Sequence, residues 1–165
     1  MCFTQFPDQV ADLAGQGGET GGRAVRVLRL LGDLRLLRDR AGRLWAGTMT
    51  GGVTVIDPQA ATSTVYQHDP ANPDSLSANG VMTVYEDRDG EIWIGTFGGG
   101  LNRFDSESGT FTRFRNDPNN PRSISNDRVL VLFEDSGGAI WAGTYGGGLN
   151  RLDPGTGEFT HIPAA

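Results

Sequence analysis

The sequence predicts an all-β protein: a partial β-propeller of about three four-stranded antiparallel blades with a 48-residue repeat. Three observations carry that expectation. Trp45, Trp93 and Trp141 lie 48 residues apart, each inside a matching tetrapeptide, Trp45-Ala-Gly47-Thr48, Trp93-Ile-Gly95-Thr96 and Trp141-Ala-Gly143-Thr144. A fixed period of this size marks solenoids, propellers or arrays. Each unit also divides into four short strand candidates separated by residues that tolerate tight turns. Finally, the inner strands are apolar almost throughout, as in Val129-Leu-Val-Leu-Phe133 and Ile92-Trp93-Ile94. Such strands are buried on both faces, whereas a β-sandwich would alternate on its outer faces.

The elements follow in chain order. Residues 1–32 stand outside the repeat, and Gln16–Gly22 reads as a flexible, glycine-rich stretch. Arg23–Leu31 fits either a short basic helix or a strand, because periodicity cannot separate the two over so few residues. Residues 33–165 form the repeat region, with blades at 33–67, 81–115 and 129–163 and connectors at 68–80 and 116–128. Shifted by 48, residues 81–115 match 129–163 at 18 of 35 positions, while 33–67 is a looser copy with Met49-Thr50 where the others have an aromatic and a glycine. In the middle unit the strands are expected at Val81–Glu86, Glu91–Thr96, Leu101–Asp105 and Phe111–Phe114. The turns between them are Asp87–Gly90, Phe97–Gly100 and Ser106–Gly109, which gives an antiparallel meander.

The pattern E-D-x-x-G-x-[LI]-W-x-G-T-x-G-G-G-L-N-R-[FL]-D, followed by D-P-x-N-P-x-S-[LI]-S, resembles the two-component regulator propeller repeat across residues 34–163. The resemblance implies a sensory region lying outside the cytoplasm, periplasmic in a parent protein that carries a histidine kinase or diguanylate cyclase output. It further implies carbohydrate sensing in some members. No kinase or cyclase segment occurs in these residues. Three blades fall short of the four to eight that close a propeller, so an apolar blade face is expected toward water. The expectation is therefore a truncated chain, a chain completed by further blades, or self-association into a six-blade ring.

Composition narrows the function. The net charge is −6, with about +2 on residues 1–43 and −8 on residues 44–165. An acidic repeat region argues against nucleic acid, whose phosphates require a basic patch. Cys2 is the single cysteine and permits no intrachain disulfide. No run of 18 apolar residues provides a membrane-spanning helix, and Met1–Pro7 lacks the features of a secretory signal, so the residues themselves assign no compartment. His68 and His161 occupy unrelated positions of the repeat, and no nucleophile, base and orienting group recur together. The expectation is no enzyme activity, no cofactor and no metal. The triple glycines at 98–100 and 146–148 lack the following helix that a phosphate cradle needs. Asp87-Arg88-Asp89-Gly90 has too few oxygen ligands for calcium and reads as a hairpin turn.

Alternating strand direction places the b–c turns and the long connectors at the same end of the blades, where a rigid scaffold presents loops for binding. The candidate ligand-binding residues there are Thr96, Phe97, Asn72 and Ser77, with their counterparts Thr144, Tyr145, Asn120 and Ser125. The ligand would be a small molecule or glycan. Phe97 and Tyr145 either stack on a sugar ring or pack against the next blade, and the Asn and Ser residues also fit local turns and caps. Trp45, Trp93, Trp141, Gly95 and Gly143 are assigned to structure, the tryptophans filling space between blades. Arg103 and Arg151, two residues from Asp105 and Asp153 on strand c, are expected to pair across blades.

Overall fold

A computed structural model describes residues 34–162. The non-repeat segment 1–32, with Cys2 and the Arg23–Leu31 stretch, lies outside the described residues. The described chain is all-β: twelve strands in three four-stranded antiparallel meanders, with no closed barrel. Blade 1 comprises β1 (Arg35–Arg38), β2 (Leu44–Gly47), β3 (Val53–Asp57) and β4 (Thr62–Tyr66). Blade 2 comprises β5 (Val81–Glu86), β6 (Ile92–Thr96), β7 (Gly100–Asp105) and β8 (Thr110–Phe114). Blade 3 comprises β9 (Val129–Glu134), β10 (Ile140–Thr144), β11 (Gly148–Asp153) and β12 (Glu158–Ile162).

Turn chemistry explains the hairpins. At each a–b turn an aspartate side chain gathers the backbone: the Asp87 carboxylate accepts from the N–H groups of Asp89 and Glu91 at 3.0 and 2.8 Å. Its second oxygen accepts the Trp93 indole N–H at 2.8 Å, and Asp39–Trp45 and Asp135–Trp141 repeat that bond at the same distance. The turn aspartate thus fixes the hairpin and satisfies the polar edge of the large ring beside it. Gly100 takes φ +80°, and a side chain there would collide with the Phe114 carbonyl, so glycine is required at this b–c turn.

Two apolar seams join the blades. The first packs Leu37, Trp45 and Val53 of blade 1 against Val81, Ile92 and Phe104 of blade 2, with Trp45 edge-on to Phe104 at 5.0 Å between centroids. The second packs Trp93 and Leu101 of blade 2 against Val129, Leu132 and Phe159 of blade 3. As its apolar run predicts, β6 is buried at every position. The comparable run in β9 is not, since Val131 and Phe133 are 56% and 61% exposed on the outward side of blade 3. The sequence pattern marks a strand suited to double burial, and burial itself depends on a neighbouring blade.

Each connector is stitched to the blade that follows. Leu76 and Ile124 are fully buried in the seams, and the N–H groups of Phe111 and Phe159 donate to the carbonyls of Asp74 and Arg122 at 2.8 Å. A connector therefore acts as a short fifth layer over the outer strands of its own blade.

Ion pairs across the seams come from the a–b turns. The Arg40 side chain donates to the carbonyls of Arg88 at 2.9 Å and Asp87 at 2.6 Å, and its Nε lies 3.0 Å from Glu86. Arg88 repeats the arrangement on Glu134 and on the carbonyls of Asp135 and Ser136. The expected cross-blade pairing of Arg103 and Arg151 is not what the structure shows. Arg103 lies 3.8 Å from Glu91 and Arg151 3.5 Å from Asp135, both within a blade. The reason is register: Arg103 and Arg151 sit opposite Trp93 and Trp141, so their guanidinium groups run along their own sheets toward their own a–b turns.

Candidate binding face

The b–c turns and connectors meet at one end of the blades, as strand direction requires. The N–H groups of Gly98 and Gly100 both donate to the Asp127 carbonyl, at 3.0 and 2.8 Å, and the Phe97 N–H donates to the Gly80 carbonyl at 2.7 Å. A turn in blade 2 is thereby tied to the connectors on both sides of it.

Six of the eight candidate residues have polar groups engaged in holding this end together. Thr96 is fully buried; its hydroxyl donates to the Gly100 carbonyl at 2.9 Å and lies 3.2 Å from the Ser77 hydroxyl. Asn102, a residue that sequence reasoning missed, accepts from the Ser77 N–H at 3.0 Å and donates to the Ser77 hydroxyl at 2.8 Å. Thr144, Ser125 and Asn150 repeat the lock in blade 3. Asn72 and Asn120 shape the connectors, their side chains accepting from the N–H groups of Asp74 and Arg122 at 3.0 Å. The recurrence of Asn102 and Asn150 inside the Gly-Leu-Asn-Arg motif was the available signal for this lock.

Phe97 and Tyr145 remain available. They are 44% and 59% exposed, and the structure brings a third residue between them. The Arg128 guanidinium carbon lies 5.2 Å from the Phe97 ring centroid and 5.8 Å from that of Tyr145, within cation–π range of both. No carboxylate is paired with Arg128 among the described residues, so its N–H donors face solvent in an otherwise acidic region. Arg128 also breaks the repeat: the position 48 residues earlier is Gly80. That mismatch was its sequence signal, because a group needed once in a ring need not recur in every blade. At the opposite end lies a cleft of about 380 Å³ that mixes Arg43 and Arg103 with Glu91, Asp105 and Glu107. It lacks an exposed aromatic.

Four-stranded antiparallel units packed face to face at a fixed period, with loops gathered on one end, define a propeller-type domain. The model of the two component regulator propeller family matches residues 75–98 and 123–146, each match running from the end of a connector through strand b. No curated protein matches the sequence. Among solved structures, the chain is similar to the extracellular domain of BT3049 from B. thetaiotaomicron, named as a hybrid two component system. The two are 28% identical, with a TM-score of 0.70 over 78% of this chain and 18% of that one. The extracellular domain of BT4673 from the same organism, named as a one component system, is 23% identical with a TM-score of 0.59, over 79% and 18%. PorZ, a surface component of the type-IX secretion system of Porphyromonas gingivalis, is 19% identical with a TM-score of 0.55, over 80% and 19%. The last two likenesses concern the fold alone. The chain spans less than a fifth of each of these structures. Among the described residues, no helix is long and apolar enough to cross a membrane.

Proposed function

We propose that the chain is a non-catalytic recognition segment of a two-component-type sensor, lying outside the cytoplasmic membrane, and that its connector face binds a carbohydrate-like solute. The observation that carries this reading is the Phe97–Arg128–Tyr145 cluster, two exposed rings around an unpaired guanidinium. Aromatic faces stack on the apolar side of a sugar ring, and the guanidinium supplies directed donors to its oxygens. The buried Thr–Ser–Asn lock beneath holds the turn that presents Phe97, so the platform is set before a ligand arrives. The extracellular setting of the similar B. thetaiotaomicron domains supports the assignment of compartment.

Calorimetric titration against neutral and acidic oligosaccharide fragments tests the reading. Tyr145→Ala and Arg128→Gly are each expected to weaken binding about tenfold, a loss of about 1.4 kcal/mol, with unchanged thermal midpoints. Uniform absence of binding across sugar classes would sink it. A second reading, a scaffold that recruits protein, is favoured by the exposed Val131 and Phe133 on blade 3. Light scattering distinguishes it, since a scaffold face of this kind would drive association.

A further inference from the structure

The two connectors differ in the residue pair that leads into strand a. Asn79-Gly80 stands before β5 where Asp127-Arg128 stands before β9, and it is the single Asn-Gly pair in the chain. Asn79 and Asp127 nevertheless brace their connectors in the same way. The side-chain oxygen of each accepts a backbone N–H at 2.7 Å, from His68 and from Asn116. At this register the fold therefore accommodates an amide in one connector and a carboxylate in the next.

The groups around Asn79 suit conversion of the first into the second. Its Oδ1 is held by the His68 N–H, while its Nδ2 has no bond partner among the described residues. The Gly80 N–H also donates to nothing among the described residues. In the next connector the equivalent N–H, that of Arg128, donates to the Asn126 side chain at 2.9 Å. Ala78 stands in place of Asn126 and supplies no acceptor. Glycine adds no side chain to hinder its own nitrogen, and Asn79 and Gly80 are both partly exposed to water.

We infer that Asn79 is a site of spontaneous deamidation, at which the Gly80 nitrogen drives conversion of the Asn79 amide to a carboxylate. The Gly80 N–H gives its proton to hydroxide, and the nitrogen bonds to the Asn79 Cγ. Negative charge develops on Oδ1, where the His68 N–H already donates. The Cγ–Nδ2 bond then breaks, and Nδ2 takes up protons from water and leaves as ammonia, which regenerates hydroxide. A five-membered imide remains. One water opens it: breaking the new Cγ–N bond gives aspartate, and breaking the bond from the Asn79 main-chain carbonyl carbon to nitrogen gives isoaspartate. In sum, an amide and water become an acid and ammonia.

The two products act differently on the first seam. The Asn79 and Gly80 carbonyls accept from the N–H groups of Gly52 and Phe97 at 3.0 and 2.7 Å, and the Val81 N–H donates to the Thr48 carbonyl at 2.8 Å. Aspartate leaves these bonds in place, whereas isoaspartate inserts a carbon into the main chain between them. Aspartate does add a charge without an arginine beside it. Arg115 lies 3.7 Å from Asp127, but Gln67 stands at the register of Arg115. The connector face thus becomes more acidic, irreversibly, as the chain ages. The inference is independent of the ligand reading.

The test incubates the full chain in mildly alkaline buffer, folded and in urea, and follows added negative charge by isoelectric focusing and its position by peptide mass mapping. The charge should appear first at Asn79, and the folded rate should stay within about tenfold of the unfolded one, the factor that about 1.4 kcal/mol of restraint would impose. Asn79→Ser should abolish this first step. Ala78→Asn, which restores the missing acceptor, should slow it about two- to tenfold, the range one net hydrogen bond allows. Asn79→Asp should keep the thermal midpoint of the native chain, and the isoaspartate fraction should melt lower. The inference is overturned if the charge maps elsewhere, if folding slows the reaction by more than that tenfold factor, or if Asn79→Ser gains charge as fast as the native chain. Those outcomes include two read on the native chain alone, so failure of a variant to fold does not shelter the inference.

Discussion

Blades 2 and 3 are near copies in sequence and differ in environment. Trp93 has no exposed surface, while Trp141 in the same tetrapeptide, with the same 2.8 Å bond to its turn aspartate, is half-buried. Leu101 is fully buried and Leu149 is 39% exposed. Local structure is the same in both, down to the register opposite strand c. What differs is the neighbour. In this fold the repeat specifies hairpins and turns, and the seam between blades specifies burial, so stability grows with the number of seams rather than the number of blades.

The strongest test of that contrast removes the indoles. Trp93→Ala should cost about 3–5 kcal/mol, the range for emptying a large buried aromatic site, and Trp141→Ala clearly less, as read from urea unfolding. Equal losses would break the comparison. Next, Gly95→Val should cost about 1–3 kcal/mol by overpacking, since its Cβ would press on Val129 and Thr83. Gly143→Val should stay within about 0.5 kcal/mol, because the exposed Val131 can move aside.

Much of this was legible in the sequence. The Trp spacing and turn residues located all three blades, with strand ends within a residue in the middle one. Side-chain direction across a seam was not legible. Arg88 and Glu134 meet because adjacent blades bring consecutive a–b turns together, and nothing in the local pattern of either residue encodes that rotation. Arg103 misled for the same reason: its spacing from Asp105 is real, but its partner is Glu91 across the hairpin. At the candidate site, hairpin geometry pointed to Phe97 and Tyr145. The threonine and serine hydroxyls turned inward because the buried turn carbonyls there need donors.

Smaller effects sharpen the comparison. Arg88→Ala should lower stability by at most about 1 kcal/mol, because its side chain is partly exposed and screened, and the loss should shrink in high salt. Removing the guanidinium of Arg122, paired with Glu158 at the surface, should change nothing measurable. In blade 3, the Trp141 indole N–H, helped by the backbone N–H of Ala139 and Gly137 and by Arg151, holds the Asp135 carboxyl below the usual aspartate range. A depressed folded pKa means that this contribution is complete at neutral pH. It starts to fall as pH drops below the unfolded value of about 4 and is gone once the folded carboxyl protonates. Asp135→Asn should therefore flatten the acid limb of a stability–pH profile below about pH 4 and leave the curve's shape above it unchanged.

The connectors also have a mechanical consequence. Residues 68–80 and 116–128 lie folded over the blades, held by backbone bonds to Phe111, Phe159 and the b–c turns, by the Ser77–Asn102 and Ser125–Asn150 bonds, and by the buried Leu76 and Ile124. Extended, each would span about 45 Å. If tension parts a seam, the connector can pay out this slack while both meanders keep their internal ladders. The array would then lengthen in discrete steps, one per seam, as a tether with stored length.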